Sequence, residues 1–163
     1  DPLDSAVITV GAMNAGTTHN VIPETAELRG TIRFLDKDHR DQLEQRLTEM
    51  VKNIAAAFGA QVDINYRATF PVLVNSATET ELAQRAATLI AGETNVVSNA
   101  PSVMGSEDFA SMLNQIPGCY ILIGNGGGND ACMVHNPHYD FNDSIIPIGA
   151  SYWVRLVETV LAA

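Results

Sequence analysis

Residues 26–34 read AELRGTIRF, and this stretch decides the fold class of the first part of the chain. Small and apolar residues stand at every even position, and polar or charged residues stand at every odd one. Because successive side chains of a strand point to opposite faces, the alternation predicts a half-buried antiparallel strand. The run AVITV at 6–10 predicts a strand before it, and Pro23 marks a strand start, an edge or a bulge.

A helix is predicted after this strand. Asp36 or Asp38 can cap its first turn, and Gly59 is placed to end it. Its apolar stripe consists of Leu43, Leu47, Met50, Val51, Ile54 and Phe58. Alternating apolar residues at 62–66 then predict another strand. The order strand, strand, helix, strand predicts an α+β lobe in which one helix packs on a small antiparallel sheet, as in half of a ferredoxin-like fold.

The pattern changes after Asn75. Thr78 or Thr80 can cap a second amphipathic helix. The apolar run CYILI at 119–123 predicts a strand buried on both faces of an α/β sheet, followed by the glycine-rich loop 124–128, where α/β folds place their sites. A last helix, roughly 147–161, is expected to bury Trp153, Leu156, Val157 and Val160. We place the boundary between the two parts near residues 71–76.

Charge and composition exclude several classes of protein. The 163 residues carry a formal net charge of −10, so nucleic acid and anionic membranes are unsuitable partners. No apolar stretch is long enough to span a bilayer. The two cysteines form no disulfide framework and fit a reducing cytoplasm. Cys119 lies in the apolar run, so we interpret it as a small buried hydrophobic residue rather than a nucleophile.

The segment HNPHYDFND at 135–143 concentrates the polar chemistry of the chain. It can be a solvated loop with an N-cap, in which Asn142 or Asp143 starts the last helix. It can also hold a metal ligand, because imidazole binds divalent transition metals and nearby carboxylates orient it. No second cluster of histidines and acids with ligand spacing accompanies it in the sequence.

Two further segments have both a structural and a functional interpretation. Glu107, in GSED at 105–108, fits helix capping, and it can also orient a ligand if it faces the histidine loop. His19 and Asn20 resemble ordinary loop residues, and Arg33 a solvated strand residue. Together they can form an anion clamp, because Arg offers fork geometry to a carboxylate and Asn adds a donor.

Taken in order, four motifs resemble the aminoacylase and glutamate-carboxypeptidase family of two-metal metallopeptidases. They are NVIP at 20–23, GTIR at 30–33, MGSEDF at 104–109 and HNPHYDFND at 135–143. The chain is most similar to the amidohydrolase branch, which includes hippurate hydrolases and N-acyl-amino-acid amidohydrolases. The resemblance implies an enzyme that hydrolyses the amide bond of N-acyl amino acids with two divalent ions, Mn, Zn, Co or Ni.

The resemblance also implies roles for parts of the chain. Residues 1–72 match the second half of a lid or dimerisation domain, and 73–163 match the closing segment of the catalytic domain. His135 falls on a metal ligand, and Asn20 and Arg33 fall on contacts of the substrate carboxylate. Glu107 falls on a motif acid near the metal site and His19 on a position that varies in the family, and both are assigned to substrate binding. A homodimer through the lid is implied, with Asn20 and Arg33 acting in cis or in trans.

The other metal ligands and the catalytic base of the family have no counterpart here and are expected upstream of residue 1. We therefore expect no catalytic residue in this chain, an incomplete or absent metal centre, and a natural protein roughly twice this length or more. The alternative is a non-catalytic small-molecule binding or dimerisation module. If the hydrolase interpretation holds, the His135 ring should point into a pocket near the glycine loop and Glu107.

Overall fold

The computed structural model describes residues 5–127 and 131–161. The described elements are β1 Ala6–Ala15, β2 Ala26–Phe34, α1 His39–Ala57, α2 Ala77–Ala91, α3 Phe109–Leu113 and α4 Ile146–Val160, with 3-10 turns at Glu93–Asn95 and Asp143–Ile145. They form two compact units. One contains the chain up to Leu73 and Pro101–Ala110, and the other contains Val74–Ala100 and the chain from Ser111 onward. None of the described helices is long and apolar enough to cross a membrane.

The first unit contains an antiparallel ribbon. β1 pairs with β2 from Ala6 opposite Phe34 to Ala15 opposite Ala26, with a bulge between Val10 and Ala12. The predicted strand at 26–34 is confirmed, whereas the first strand is longer than the predicted 6–10. At Gly30 the ribbon is so close that an added Cβ would overlap the backbone carbonyl of Thr9.

Helix α1 has the predicted ends. Asp38 is at the N-cap position, although its side chain makes no capping hydrogen bond, and the Asp36 carboxylate accepts the Asp38 N–H at 2.9 Å. Gly59 has a φ of 68°, a left-handed conformation that glycine adopts without steric cost. The Gly59 and Ala60 N–H groups donate back into the last helical turn, which is a Schellman motif that ends the helix.

The strand predicted at 62–66 is wrong for this structure, because residues 60–76 form no regular element. Ile64 and Tyr66 are still half-buried, in the predicted alternation. A strand is defined by a hydrogen-bonded neighbour, and none of the described residues provides one here. No α1 residue is fully buried either, and its apolar side chains Met50, Ile54 and Phe58 are exposed.

In the second unit α2 packs against α4. The N-cap of α2 is Ser76, so the predicted cap at Thr78 or Thr80 is wrong. The Ser76 hydroxyl makes no capping bond because it accepts the Gly118 N–H at 3.1 Å, while the Thr80 hydroxyl donates to the Ser76 carbonyl at 2.8 Å. Small residues of α2, Ala83 and Ala86, form the buried contact.

The apolar run 119–123 is neither a strand nor buried on both faces within this chain, so that prediction is wrong here. Leu122 is 78% exposed. The Asn75 side chain takes the place of a neighbouring strand, since its amide donates to the Tyr120 carbonyl at 2.9 Å and accepts the Tyr120 N–H at 2.8 Å. Central strands of an α/β sheet need partners on both sides, and the described residues do not supply them.

The buried aromatic residue of α4 is Tyr152, which is 4% exposed, and not Trp153, which is 59% exposed. Val157 and Val160 are exposed as well, while Leu156 is half-buried, so the predicted inward face is largely wrong for this structure. The reason is that α4 is apolar on two faces, and only the face with Tyr152 meets packing partners.

The chain exposes much more surface than its mass requires. Its solvent-accessible area is 13467 Å². Two separately folded units of half this mass would together expose about 9,500 Å². Exposed apolar side chains on β1, β2 and the helices, among them Val10, Leu28 and Ile54, contribute to this area.

Candidate functional site

A pair of asparagines holds both ends of the loop that carries His135. The Asn142 backbone N–H donates to Asn125 Oδ1 at 2.9 Å, and the Asn142 side-chain amide donates to the Asn125 carbonyl at 3.0 Å. The Asn125 amide in turn donates to the Asp140 carbonyl at 3.2 Å. Asn142 is also the N-cap of the 3-10 turn Asp143–Ile145, accepting the Ser144 N–H at 3.1 Å. The N-cap of α4 itself is Ile145, so the predicted cap at Asn142 begins the turn that leads into the last helix and not the helix.

Within this loop His135 has an unusual backbone conformation. Its φ is 70°, and it is the only residue other than glycine with a positive φ among the described residues. Such a conformation costs a residue with a Cβ about 1–2 kcal/mol. Tight turns follow, because Asn136 Oδ1 accepts the His138 N–H at 2.9 Å and the Asn136 carbonyl accepts the Tyr139 N–H at 2.9 Å. Strained residues of this kind concentrate at functional sites, and His135 is exposed.

An open depression of about 480 Å³ lies at the glycine loop. Its lining includes Cys132, His138, Asp140 and the two clamping asparagines. A pocket at the glycine loop was expected, but His135 is not among the described residues that line it. Cys132 is a free, half-buried thiol.

A metal site requires several nitrogen, sulfur or oxygen donors close together. The described residues contain no group of three or more histidines, cysteines and acids that could hold a metal ion. The exposed imidazole of His135 is one suitable donor.

Glu107 has the local role that helix capping predicts. Its Oε1 accepts the Phe109 N–H at 3.4 Å at the start of α3, and the residue is half-buried. It belongs to the unit of β2, whereas His135 belongs to the other unit. A role of Glu107 beside the metal therefore stays a prediction.

The structural interpretation of Arg33 predicted a solvated strand residue, and the structure differs from it. It is half-buried, and its Nη1 donates to the backbone carbonyl of Met104 at 2.6 Å. No described carboxylate forms an ion pair with it, in contrast to Arg29, which pairs with Glu27 at 3.0 Å.

His19 and Asn20 lie exposed in the connection 16–25 between β1 and β2. Asn20 Oδ1 accepts the Thr18 hydroxyl at 3.2 Å. This connection leaves the ribbon at the Ala15–Ala26 pair, whereas Arg33 stands near its other end, opposite Val7. Seven residue steps of a strand span about 23 Å, so the structure does not bring Asn20 and Arg33 of one chain together at the ribbon.

Three anchors were missed in the sequence: Asn125, Asn75 and the Met104 carbonyl. Asn125 stands among glycines, which is a weak signal that its side chain has a structural task. Asn75 lies within the predicted boundary at 71–76, and nothing in its sequence context points to a partner 45 residues away. The role of the Met104 carbonyl has no signal in the sequence, because every residue has a backbone carbonyl.

Comparisons with known proteins agree with the four motifs. A family model described as peptidase family M20/M25/M40 matches residues 3–159. The N-acetyl-L-cysteine deacetylase of Bacillus subtilis is 37% identical over 154 residues, 94% of this chain and 35% of that protein. The hippurate hydrolase of Campylobacter jejuni is 34% identical over 156 residues, 96% of this chain and 40% of that protein. The chain thus spans about two fifths of the length of these relatives.

A solved structure gives the same result. The crystal structure of a dinuclear metal-binding peptidase of the M20 family from Bacillus subtilis matches with a TM-score of 0.78 at 28% identity, covering 97% of this chain and 42% of that one. The predicted α+β character and the predicted family are confirmed. The motifs, the family model and the shared fold together show that this chain belongs to peptidase family M20/M25/M40.

Proposed function

We propose that this chain is the C-terminal part of a metal-dependent amidohydrolase that cleaves the amide bond of hippurate-like N-acyl amino acids. The products are an amino acid and a carboxylic acid. The observation that carries the proposal is the family match over residues 3–159, which includes the His135 segment. In this proposal residues 1–72 belong to the lid or dimerisation domain and 73–163 close the catalytic domain.

His135 is proposed as one metal ligand. Its exposed ring stands on a strained turn whose ends are held by Asn125 and Asn142. When bound, a pair of divalent ions supplies Lewis-acid activation of a water and of the amide carbonyl. The other ligands and the carboxylate base are proposed to come from sequence outside this chain, because the described residues lack a full ligand set.

Arg33 is proposed to bind the substrate carboxylate, since its guanidinium is half-buried and no described acid neutralises it. Asn20 is proposed to act on the site of a second copy in a homodimer, because it stands at the opposite end of the ribbon from Arg33. His19, its exposed neighbour, is assigned to the same contact. Relatives named for N-acetylcysteine and for hippurate support a small acyl group on the substrate nitrogen, which hydrolysis releases as the carboxylic acid product.

The test uses the intact enzyme that contains this chain, purified with Mn, Zn, Co or Ni. Release of free amino acid from N-acetyl and N-benzoyl amino acids is measured together with the metal content by elemental analysis. We expect His135→Ala to abolish hydrolysis and to lower the metal content. The control is His39→Ala, which removes an imidazole that lies 3.7 Å from Asp36 at the start of α1. This variant should retain both the hydrolysis and the metal content of the wild type.

Unchanged activity of His135→Ala would remove this residue from the metal centre. A wild-type protein that binds N-acyl amino acids with the metal supplied, but hydrolyses none of them, would instead support the non-catalytic binding module.

A further inference from the structure

The bond between Arg33 and Met104 is the tether of an otherwise irregular segment. Met104 lies in residues 101–107, which form no helix, strand or turn. Among the described residues, no backbone N–H or carbonyl of 101–106 takes part in a backbone–backbone hydrogen bond. The Nη1–carbonyl bond of 2.6 Å joins this segment to β2 across 71 residues of sequence.

The chemistry of this bond makes it a strong one. A hydrogen bond from a charged donor is about twice as strong as one between neutral groups. It is part-buried, which limits competition by water. The acceptor carbonyl shares a planar peptide group with the Gly105 N–H, so fixing the carbonyl also fixes the direction in which that N–H points.

The same guanidinium retains most of its donors. Arginine has five N–H donors in a rigid fork, and the Met104 carbonyl uses one of them. A carbonyl carries no net charge, so the positive charge of Arg33 is not neutralised by this contact. The remaining edge can bind a carboxylate while the bond to Met104 persists.

We propose that Arg33 is a positioning residue for the segment 101–107 in addition to its carboxylate contact. This proposal rests on the proposed function. Because one rigid plane makes both contacts, binding of the substrate carboxylate orders Arg33, and Arg33 in turn orders the Gly105–Glu107 backbone. Loss of Arg33 then affects turnover, and not only the affinity for the substrate carboxylate.

The experiment compares Arg33→Met, Arg33→Lys and the control Arg29→Met in the intact enzyme. Arg29 lies on the same strand but pairs with Glu27 in an exposed position. Hydrogen exchange by mass spectrometry follows the peptide 101–110, with peptides of α2 as the internal reference. We expect roughly tenfold or faster exchange in Arg33→Met at Phe109 and Ala110, whose amides are the ones in this peptide that donate hydrogen bonds among the described residues, with α2 unchanged and with Arg29→Met like the wild type.

The kinetic constants kcat and KM distinguish the positioning role from a merely structural one. In Arg33→Met we expect kcat to fall about tenfold or more on both N-acyl amino acids and their amide-capped analogues, while KM rises only for the former. Arg33→Lys carries a single ammonium group in place of the forked guanidinium, so it can make one of the two contacts at a time. It should therefore restore either the exchange protection or the KM, but not both.

Equal exchange of 101–110 in Arg33→Met and Arg29→Met would overturn the proposal, and so would a change confined to KM. If Arg33→Lys restored both the exchange protection and the KM, the proposal that the fork of Arg33 makes two contacts at once would be overturned. Should the wild-type enzyme hydrolyse no N-acyl amino acid, the proposed function fails, whereas the exchange comparison still decides whether Arg33 positions the segment.

Discussion

Asn125 and Asn142 bind each other through two hydrogen bonds of 2.9 and 3.0 Å and thereby close the loop that carries His135. In both bonds Asn142 is the donor, once through its backbone and once through its side chain. The Asn142 Oδ1 remains to accept the N–H and hydroxyl of Ser144 at the start of the last helical region. One side chain therefore joins the glycine loop, the His135 loop and the entrance to α4.

Replacing Asn142 by alanine should loosen this junction. The variant loses an N-cap and a side-chain bond to Asn125, which together contribute about 1–3 kcal/mol. We expect a lower thermal midpoint of the intact enzyme and faster hydrogen exchange over residues 131–145. Metal affinity should fall as well, because His135 is then less well placed. Asn95→Ala, which removes a side-chain bond to Ala91 in α2, is the control and should leave the metal affinity unchanged.

The positive φ of His135 predicts an inverted order of stability for two substitutions. At 70° a Cβ is unfavourable, so in metal-free enzyme His135→Gly should be more stable than His135→Ala by about 1 kcal/mol. At His138, whose φ is not positive, glycine should be the less stable variant because it adds freedom to the unfolded chain. Thermal unfolding in the presence of a chelator measures both pairs, and the same order at both positions would contradict the strain at His135.

Gly30 and Gly11 form a matched pair in the β1–β2 ribbon. An added methyl group at Gly30 meets the Thr9 carbonyl, whereas at Gly11 nothing lies within 4 Å. We expect Gly30→Ala to destabilise the ribbon by about 1–3 kcal/mol, and Gly11→Ala to change its stability by less than about 0.5 kcal/mol. Amide exchange in β1 and β2 reports the difference, and equal effects would show that the ribbon is wider than the structure indicates.

Tyr152 predicts a loss of stability in alkaline solution. Burial, and after it the Coulomb interaction with Cys119, raise the pKa of Tyr152 above its ordinary 10.0. The folded state therefore keeps this proton where the unfolded state has released it. The stabilisation is fully present below pH 10, and it is lost as the pH rises from there through the folded pKa.

Tyr152→Phe should accordingly have a thermal midpoint that falls less steeply above pH 10 than that of the wild type. Cys119→Ala should reduce the slope by a smaller amount, since it removes only the second cause of the shift. Parallel profiles of the wild type and the phenylalanine variant would show that the hydroxyl is not held in its neutral form.

Local chemistry was readable from the sequence. The alternation at 26–34 predicted β2 with both of its bounds, Gly59 predicted the end of α1, and Asn142 was one of two predicted caps. Each of these depends on neighbours within a few residues, because strand faces, left-handed glycines and capping side chains are properties of a short segment. The four ordered motifs likewise indicated the family.

Tertiary structure decided which surfaces and which distant groups meet. Residues 119–123 look like a central strand, yet they form no ladder here, because a ladder needs a partner that the described chain lacks. Tyr152 is buried instead of Trp153, because α4 is apolar on two faces and only packing selects between them. The Arg33 guanidinium reaches a carbonyl 71 residues away, and no periodicity or motif encodes such a contact, since every backbone offers the same acceptor.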